Sequence, residues 1–294
     1  MSMVFFRRRR LGLTSLTGIV NRMVTPATIQ THNRYRRTAR REGPWPDDPS
    51  KKVVRWGCTA LTPPGRHIVI NNSQAIHLVN DKLAFRYLLK QHSRDNGSPL
   101  LCPETWSFPD YLNNSERQLP VIIRPSHHAQ GRNLYVCRTA EQVEAAIARC
   151  RVGYVSALID KVAEYRVFAA QGRAVWVASK TPGNPEQVAW NVARGGRFDN
   201  VRWGDWPLRV VRVALEAFNL TGLHFGGVDV IVDAGGEAYV IEINSAPSQT
   251  SPYRQLCSAR VFDFMNREHT DNIPLMNARG GWRKFIHPCL LTED

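Results

Sequence analysis

The stretch that most constrains this chain is residues 227–243. GVDVIVD at 227–233 and EAYVIEI at 237–243 alternate along their length and flank Gly235-Gly236, a pair suited to a two-residue hairpin turn with positive φ. With those glycines as the turn, Ala234 faces Glu237 and Asp229 lies opposite Glu242. Side chains alternate along a strand, so Asn244 shares the face of Glu242. The other face carries Val228, Val230, Val232, Tyr239, Ile241 and Ile243, an apolar surface expected to pack on a core.

Two carboxylates opposed at roughly 5 Å repel unless something positive lies between them. A bound divalent cation supplies that charge. Asp229, Glu242 and the Asn244 amide form an all-oxygen donor set suited to Mg²⁺ or Mn²⁺, whose remaining ligands would be waters and nucleotide phosphates. Either acid alone would read as a solvated hairpin residue.

The rest of the chain must then supply cations for phosphates. Lys82 sits within the helix read at 73–92, just after a possible internal cap at Asn80. Arg124 ends the strand read at 119–124, and Lys180 ends the one at 174–180. Residues 126–132 form a polar loop whose Gln130 and Gly131 could fold over phosphates with main-chain N–H groups. Its histidines, His127 and His128, are adjacent and diverge, so they make a poor zinc pair. Asp160 follows the strand at 154–159, where a carboxylate could accept from ribose hydroxyls while the backbone from Ala157 to Ile159 pairs with adenine. Asn191 and Arg194, next to Gly195-Gly196, offer an amide and a guanidinium able to clamp a carboxylate or a transferring phosphoryl group.

Length and composition agree with a cleft enzyme. The chain has 294 residues, 43% of them hydrophobic, enough for a core and for lobes with a cleft between them. No stretch approaches the ~18 uninterrupted apolar residues of a membrane helix. Cys58, Cys102, Cys137, Cys150, Cys257 and Cys289 are scattered and read as reduced thiols of a cytoplasmic protein. Of the formal charge of +14, residues 1–43 contribute +9 through ten arginines, Arg7 to Arg10, Arg22, Arg34, Arg36, Arg37, Arg40 and Arg41, with Glu42 the one acid. That arm reads as a solvated edge of the first lobe, as an anchor for nucleic acid or an acidic partner, or as a transit peptide.

Elsewhere, strands are expected at 3–6, 52–55, 68–70, 119–124, 133–137, 154–159, 164–170 and 174–180, the last two joined at Gln171-Gly172. Helices are expected at 14–23, at 73–92 with Asn80 as an internal cap, from a Thr139 cap to 150, and at 208–218. Residues 96–109 read as a proline-punctuated loop crossing.

Taken in order, EYRVF at 164–168, NVARGG at 191–196, GGVDVIV at 226–232 and VIEINSAP at 240–247 resemble the ATP-grasp superfamily, within it the branch of glutamate-adding carboxylate–amine ligases. The resemblance runs from about residue 71 to 253. It implies an α/β (α+β) fold with a small N-terminal α/β domain (1–75), a connecting helical segment (76–118), a lid (119–160) and a C-terminal antiparallel-sheet subdomain with the metal site (161–294), enclosing ATP between two sheets. It implies that Lys82 contacts phosphate, Asp160 the ribose, Lys180 and Asn191 the nucleotide or its metal, and that Asp229, Glu242 and Asn244 hold magnesium. The implied reaction is ATP-dependent amide formation through an acyl phosphate, with carboxylate and amine substrates, Arg194 steadying the transferring group, and a homo-oligomeric assembly. The basic arm adds the expectation of an acidic peptide substrate. The alternative is an ATP-grasp scaffold that binds nucleic acid or an acidic partner through its arginines. Departures are Arg124-Pro125 where the family has Lys-Pro, Ser156-Ala157 in place of the hinge glutamate, and a glycine-poor lid loop.

Overall fold

A computed structural model describes residues 2–8, 13–32, 51–59, 68–99, 101–126, 133–184, 186–190, 195–268 and 283–291. The first sheet is parallel, with β1 (Ser2–Arg8), β2 (Ala27–His32), β3 (Lys51–Trp56) and β4 (Ile68–Ile70) in the order β2-β1-β3-β4. Met3 and Phe5 point into the main core, while Val4 and Phe6 pack with Val53 and Cys58 on the other side. A strand buried on both faces reads as a continuous apolar run, as this one does. The helix α1 (Leu13–Val20) covers this sheet through Leu16 and Ile19. Arg7 is buried and Arg22 donates to the Gly18 carbonyl at 2.7 Å, so both belong to the lobe. The side chains of the other eight arginines of the arm lie outside the described residues.

The helix expected over 73–92 is two helices, α2 (Ser73–Asn80) and α3 (Lys82–Asp95). Asp81 rather than Asn80 is the cap between them, accepting from the Ala84 N–H at 3.1 Å. Lys82 therefore begins α3. The loop crossing contains two elements that its prolines concealed, β5 (Thr105–Ser107) and α4 (Phe108–Asn113). With β6 (Val121–Pro125), β7 (Tyr135–Cys137), α5 (Ala140–Cys150) and β8 (Gly153–Ala157), they form a four-stranded antiparallel sheet, β5-β8-β6-β7. It has its own small core around Phe108, Tyr111, Ile123 and Val155. Thr139 caps α5 as expected.

The third sheet is antiparallel, with β9 (Lys161–Ala170), β10 (Arg173–Thr181), β11 (Arg197–Val201), β12 (Phe225–Asp233) and β13 (Ala238–Asn244) in the order β11-β10-β9-β12-β13. Gln171 and Gly172 turn β9 into β10 with φ of 47° and 75°, the positive pair that a primed turn needs. On one face Val167, Val177, Val228 and Ile243 are buried, and α6 (Leu208–Asn219) packs against β9, β12 and β13. On the other, Phe168 stacks on Trp176 at 5.3 Å. There α7 (Pro252–Arg267), which the sequence reading missed, lays Phe262 edge-on to Phe225 at 5.1 Å and accepts a hydrogen bond from Trp176 Nε1 on Ser258 Oγ.

The hairpin of β12 and β13 corrects one expectation and keeps its consequence. Its turn has three residues, 234–236, closed by Asp233 N–H to the Glu237 carbonyl at 3.0 Å, and Gly236 alone has positive φ, at 79°. That shifts the register by one at the turn. A bulge shifts it back: Val230 pairs with Val240, but Asp229 still pairs with Glu242, leaving Ile241 as the extra residue. Val240 and Ala238 take the core positions that the alternation assigned to Ile241 and Tyr239. Ile241 turns toward the cleft, and the Tyr239 hydroxyl reaches Asp233.

Candidate active site

The pairing puts the chemistry in rows across the third sheet. Asn200, Ala178, Arg166, Asp229 and Glu242 are successive cross-strand partners from edge to edge. The next row on the same face runs Phe198, Lys180, Glu164, Ile231 and Tyr239. These side chains share one face because each strand alternates, and the bulge returns Glu242 to that face.

Arg166 meets Asp229 as a fork, Nε to Oδ1 at 2.6 Å and Nη2 to Oδ2 at 2.7 Å. Lys180 Nζ reaches Asp229 Oδ2 at 2.9 Å and also pairs with Glu164, which Lys161 holds from the other side. Lys82 Nζ lies 3.8 Å from Glu242 Oε2, and Asn244 Nδ2 donates to Glu242 Oε1 at 3.0 Å. Three carboxylates thus face four cations. The premise that only a metal could stand between Asp229 and Glu242 is overturned, since Arg166, Lys180 and Lys82 supply the charge. Burial works against Arg166 and Lys180, yet Asp229, joined by Glu164 for Lys180, holds both above their ordinary pKa values. Burial would raise the Glu242 carboxyl, but Lys82, the Asn244 amide, Lys180 and Arg166 together hold it well below the usual carboxylate range. Burial pulls Lys82 and Lys161 down against the pull of Glu242 and Glu164.

This floor opens on a cavity of about 620 Å³ whose opposite wall is the smaller sheet. Lys180, Glu164, Asp229, Glu242, Ile231 and Ile241 line it below. Ile122, Arg124, Ala157, Leu158, Ile159 and Asp160 line it above. Arg124 has a buried Nε with no hydrogen bond. The N–H of Ala157 is spent on the Glu104 carbonyl at 2.8 Å and that of Leu158 on Pro120 at 3.2 Å. Among the described residues the Ile159 N–H has no backbone partner. Lys161 lies 4.4 Å above the Trp190 ring at the rim.

The structure thus gathers Lys82, Arg124, Ala157, Ile159, Asp160, Lys180, Asp229, Glu242 and Asn244 around one cleft. Gln130, Gly131, Asn191 and Arg194 lie outside the described residues. The sequence reading gave no role to Glu164, Lys161 or Arg166. For Glu164 and Arg166 the signal was opposite charges at alternate positions of one strand, which share a face; Lys161, three residues before Glu164, gave none. The donor chemistry fits magnesium at Glu242, which lines the cleft, and at Asn244, whose amide nitrogen donates to Glu242 and leaves its oxygen as an acceptor. Asp229 has both oxygens engaged by cations.

Two antiparallel sheets closing on a basic cleft with carboxylates on its floor form a nucleotide-gripping fold. Residues 79–257 match the RimK-like ATP-grasp domain, so the chain belongs to that family, whose members are ATP- and magnesium-dependent ligases. Solved structures agree in fold. The ATP-grasp ligase PsnB, complexed with its minimal precursor, superposes with a TM-score of 0.61 over 90% of this chain and 99% of that one, at 14% identity. D-alanine–D-alanine ligase from Bacillus anthracis complexed with ATP gives 0.59, 92%, 100% and 11%. D-cycloserine synthetase DcsG gives 0.62, 90%, 100% and 12%. No curated protein matches the chain by sequence.

Proposed function

We propose that the protein joins a carboxylate to an amine at the expense of ATP, through an acyl phosphate. The reading is carried by Asp229, Glu242 and Lys180 on the floor of the cavity between the two sheets, with Arg166 and Lys82 beside the two acids. Adenine lies between Ile122, Leu158, Ile231 and Ile241, with Ile159 N–H on its edge and Asp160 on the ribose. Lys82, Arg124 and Lys180 serve the phosphates, and Gln130, Gly131 and Asn191, which lie outside the described residues, would supply the remaining nucleotide contacts.

Glu242 and Asn244, with Asp229 behind them, would hold magnesium, which would supply neutralisation of the phosphate charge. The chain's own residues position the rest. A substrate carboxylate oxygen attacks the γ-phosphorus, ADP leaves, and an amine then displaces phosphate from the acyl carbon to give the amide. Such chemistry needs positioning and charge compensation more than a protein nucleophile. Arg194, beside two glycines, steadies the acyl phosphate. Relatives in fold bind a peptide precursor or are named for an amino-acid ligation, which supports an amino acid or an acidic peptide as substrate. Incubation with Mg²⁺-ATP and a panel of amino acids, acidic peptides and polyamines should release ADP and yield a product heavier than its acceptor by the joined amine less water. D229N and E242Q should abolish both; an unchanged product yield in either variant refutes the assignment.

A further inference from the structure

The two sheets that enclose the nucleotide cavity have separate cores, and one side chain of α3 touches both. Lys82, in the first turn of that helix, lies beside Glu242 of the floor. Arg86, one turn later on the same helix face, is 5% exposed and reaches the floor and the opposite wall together. Its Nη1 donates to Ser156 Oγ at 3.0 Å and to Thr105 Oγ1 at 3.3 Å, on β8 and β5 of the smaller sheet. Its Nη2 donates to the Ile241 carbonyl at 3.0 Å, on β13 of the larger one.

All three acceptors are neutral oxygens, so the guanidinium serves here as a fork of donors and not as half of an ion pair. What those oxygens adjoin defines its role. Ile241 is the residue that the bulge leaves out of the ladder, on the edge strand of its sheet, and its buried carbonyl needs a donor from elsewhere. The neighbouring Val240 N–H is taken by the Leu101 carbonyl at 2.7 Å, so α3 and the chain that follows it grip the bulge at two successive residues. On the other wall, Ser156 precedes the backbone expected at the base edge. Its hydroxyl accepts from Arg86 and turns its own hydrogen toward the Ala157 carbonyl, at 3.5 Å. Ser156, Ala157 and Ile241 all line the cavity, while Arg86 lies behind them.

We propose that Arg86 is a positioning residue for the nucleotide base: by spanning Ser156 and Ile241 it sets the separation of the two walls of the base slot and holds Ile241 in place beneath it. This rests on the placement of the base in the ligase reading. The phosphates, served by Lys82, Arg124 and Lys180, do not depend on that span. The two ends of a guanidinium are fixed relative to one another, whereas a lysine ammonium is a single point that meets one wall or the other.

The test is calorimetry on the full chain, comparing Mg²⁺-ADP with Mg²⁺-pyrophosphate, which has no base. The parent should favour ADP by about 100-fold, the worth of burying a base in an apolar slot. R86K keeps the buried charge and most of the stem but not the span, and should weaken ADP about tenfold, the loss of one charge-assisted hydrogen bond, with pyrophosphate changed less than about twofold. S156A removes the upper anchor and should weaken ADP about three- to tenfold. The double variant should lose no more than R86K alone, since both substitutions cut one span. Unchanged ADP affinity in R86K or S156A overturns the proposal. So does equal weakening of both ligands, the mark of a merely structural residue, and so does additivity in the double variant, the mark of a Ser156 that acts without Arg86. A parent that binds ADP no better than pyrophosphate removes the slot and the proposal with it. Failure of the ligase reading is a different result, in which the parent binds neither ligand.

Discussion

Replacing Arg166 by methionine isolates what holds the carboxylate row together. Asp229 is 1% exposed and keeps only Lys180, at 2.9 Å, once the fork is gone. It also stays opposite Glu242. Removing one partner of a buried pair leaves an uncompensated charge and costs about 3–5 kcal/mol, a large share of the roughly 5–15 kcal/mol that holds a domain together. Replacing both partners, R166M with D229L, removes the buried charges as well as their attraction. The double variant should lie within about 2 kcal/mol of the parent, with a coupling term near 3 kcal/mol. Urea unfolding followed by tryptophan fluorescence reads these differences as midpoint shifts, about 1 M for the single variant at an m-value near 3 kcal/mol/M. Trp176, stacked on Phe168 beneath the row, is the natural reporter. If R166M costs less than about 1 kcal/mol and the cycle shows no coupling, the fork is not what makes the opposed acids tolerable.

Magnesium alone should leave Tm unchanged, since the row already carries four cations against three carboxylates, whereas Mg²⁺-ADP should raise it; a shift with magnesium alone refutes the charge balance. K82M should weaken ADP binding about 10- to 100-fold by calorimetry, the worth of one charge-assisted contact, with little change in fold. G153A should lower Tm sharply, because a Cβ there would lie 2.1 Å from the Arg124 carbonyl oxygen, which is backbone and cannot turn aside. His287 has its pKa pushed down to about 3 by burial, with Arg173 adding to the shift. The native state thus favours the neutral ring, so its contribution is complete above about pH 6.5 and falls toward pH 3 by at most about 1.4 kcal/mol per pH unit. H287Q, which can still meet Gln171, should flatten that part of the stability–pH curve, and an unchanged slope counts against the assignment.

Much of this site could be read from the chain because a strand's period is short and local. The facing of Asp229 and Glu242 follows from alternation near a glycine turn, and Lys82, Arg124, Lys180 and Asp160 follow from element ends, where a side chain leaves a sheet or begins a helix. The family resemblance supplied their order. The strands β2, β5 and β11 escaped notice because they are short, with exposed or polar positions, and owe their conformation to the neighbours they pair with. The helix α7 was hidden by its composition: Arg254, Gln255, Ser258, Asp263 and Asn266 are all buried, so no polar face contrasts with an apolar one. Asp263, for instance, accepts from the backbone of Val24 and Thr25 in the first lobe.

The hairpin shows why a correct pairing can rest on an incorrect turn. The loop has one more residue than the glycine pair suggests, which alone would have slipped Asp229 off Glu242 and sent Glu242 into the core face. The bulge at Ile241 absorbs that residue at the point where the two acids must meet, and the slip is confined to residues 230–241. Had the extra residue stayed in the ladder, a carboxylate would have replaced Ile243 opposite Val228 in the core, at a desolvation cost of several kcal/mol. The apolar demand of the core thus fixes the bulge, and the bulge fixes the site. Deleting Gly235 should then remove the need for it, giving a turn of residues 234, 236 and 237 with Asp229 and Glu242 still paired and Ile241 moved into the ladder opposite Val230, beside the core. A variant that instead loses Mg²⁺-ADP binding while remaining folded would show that the irregular backbone at Ile241, and not only the pairing, shapes the nucleotide floor.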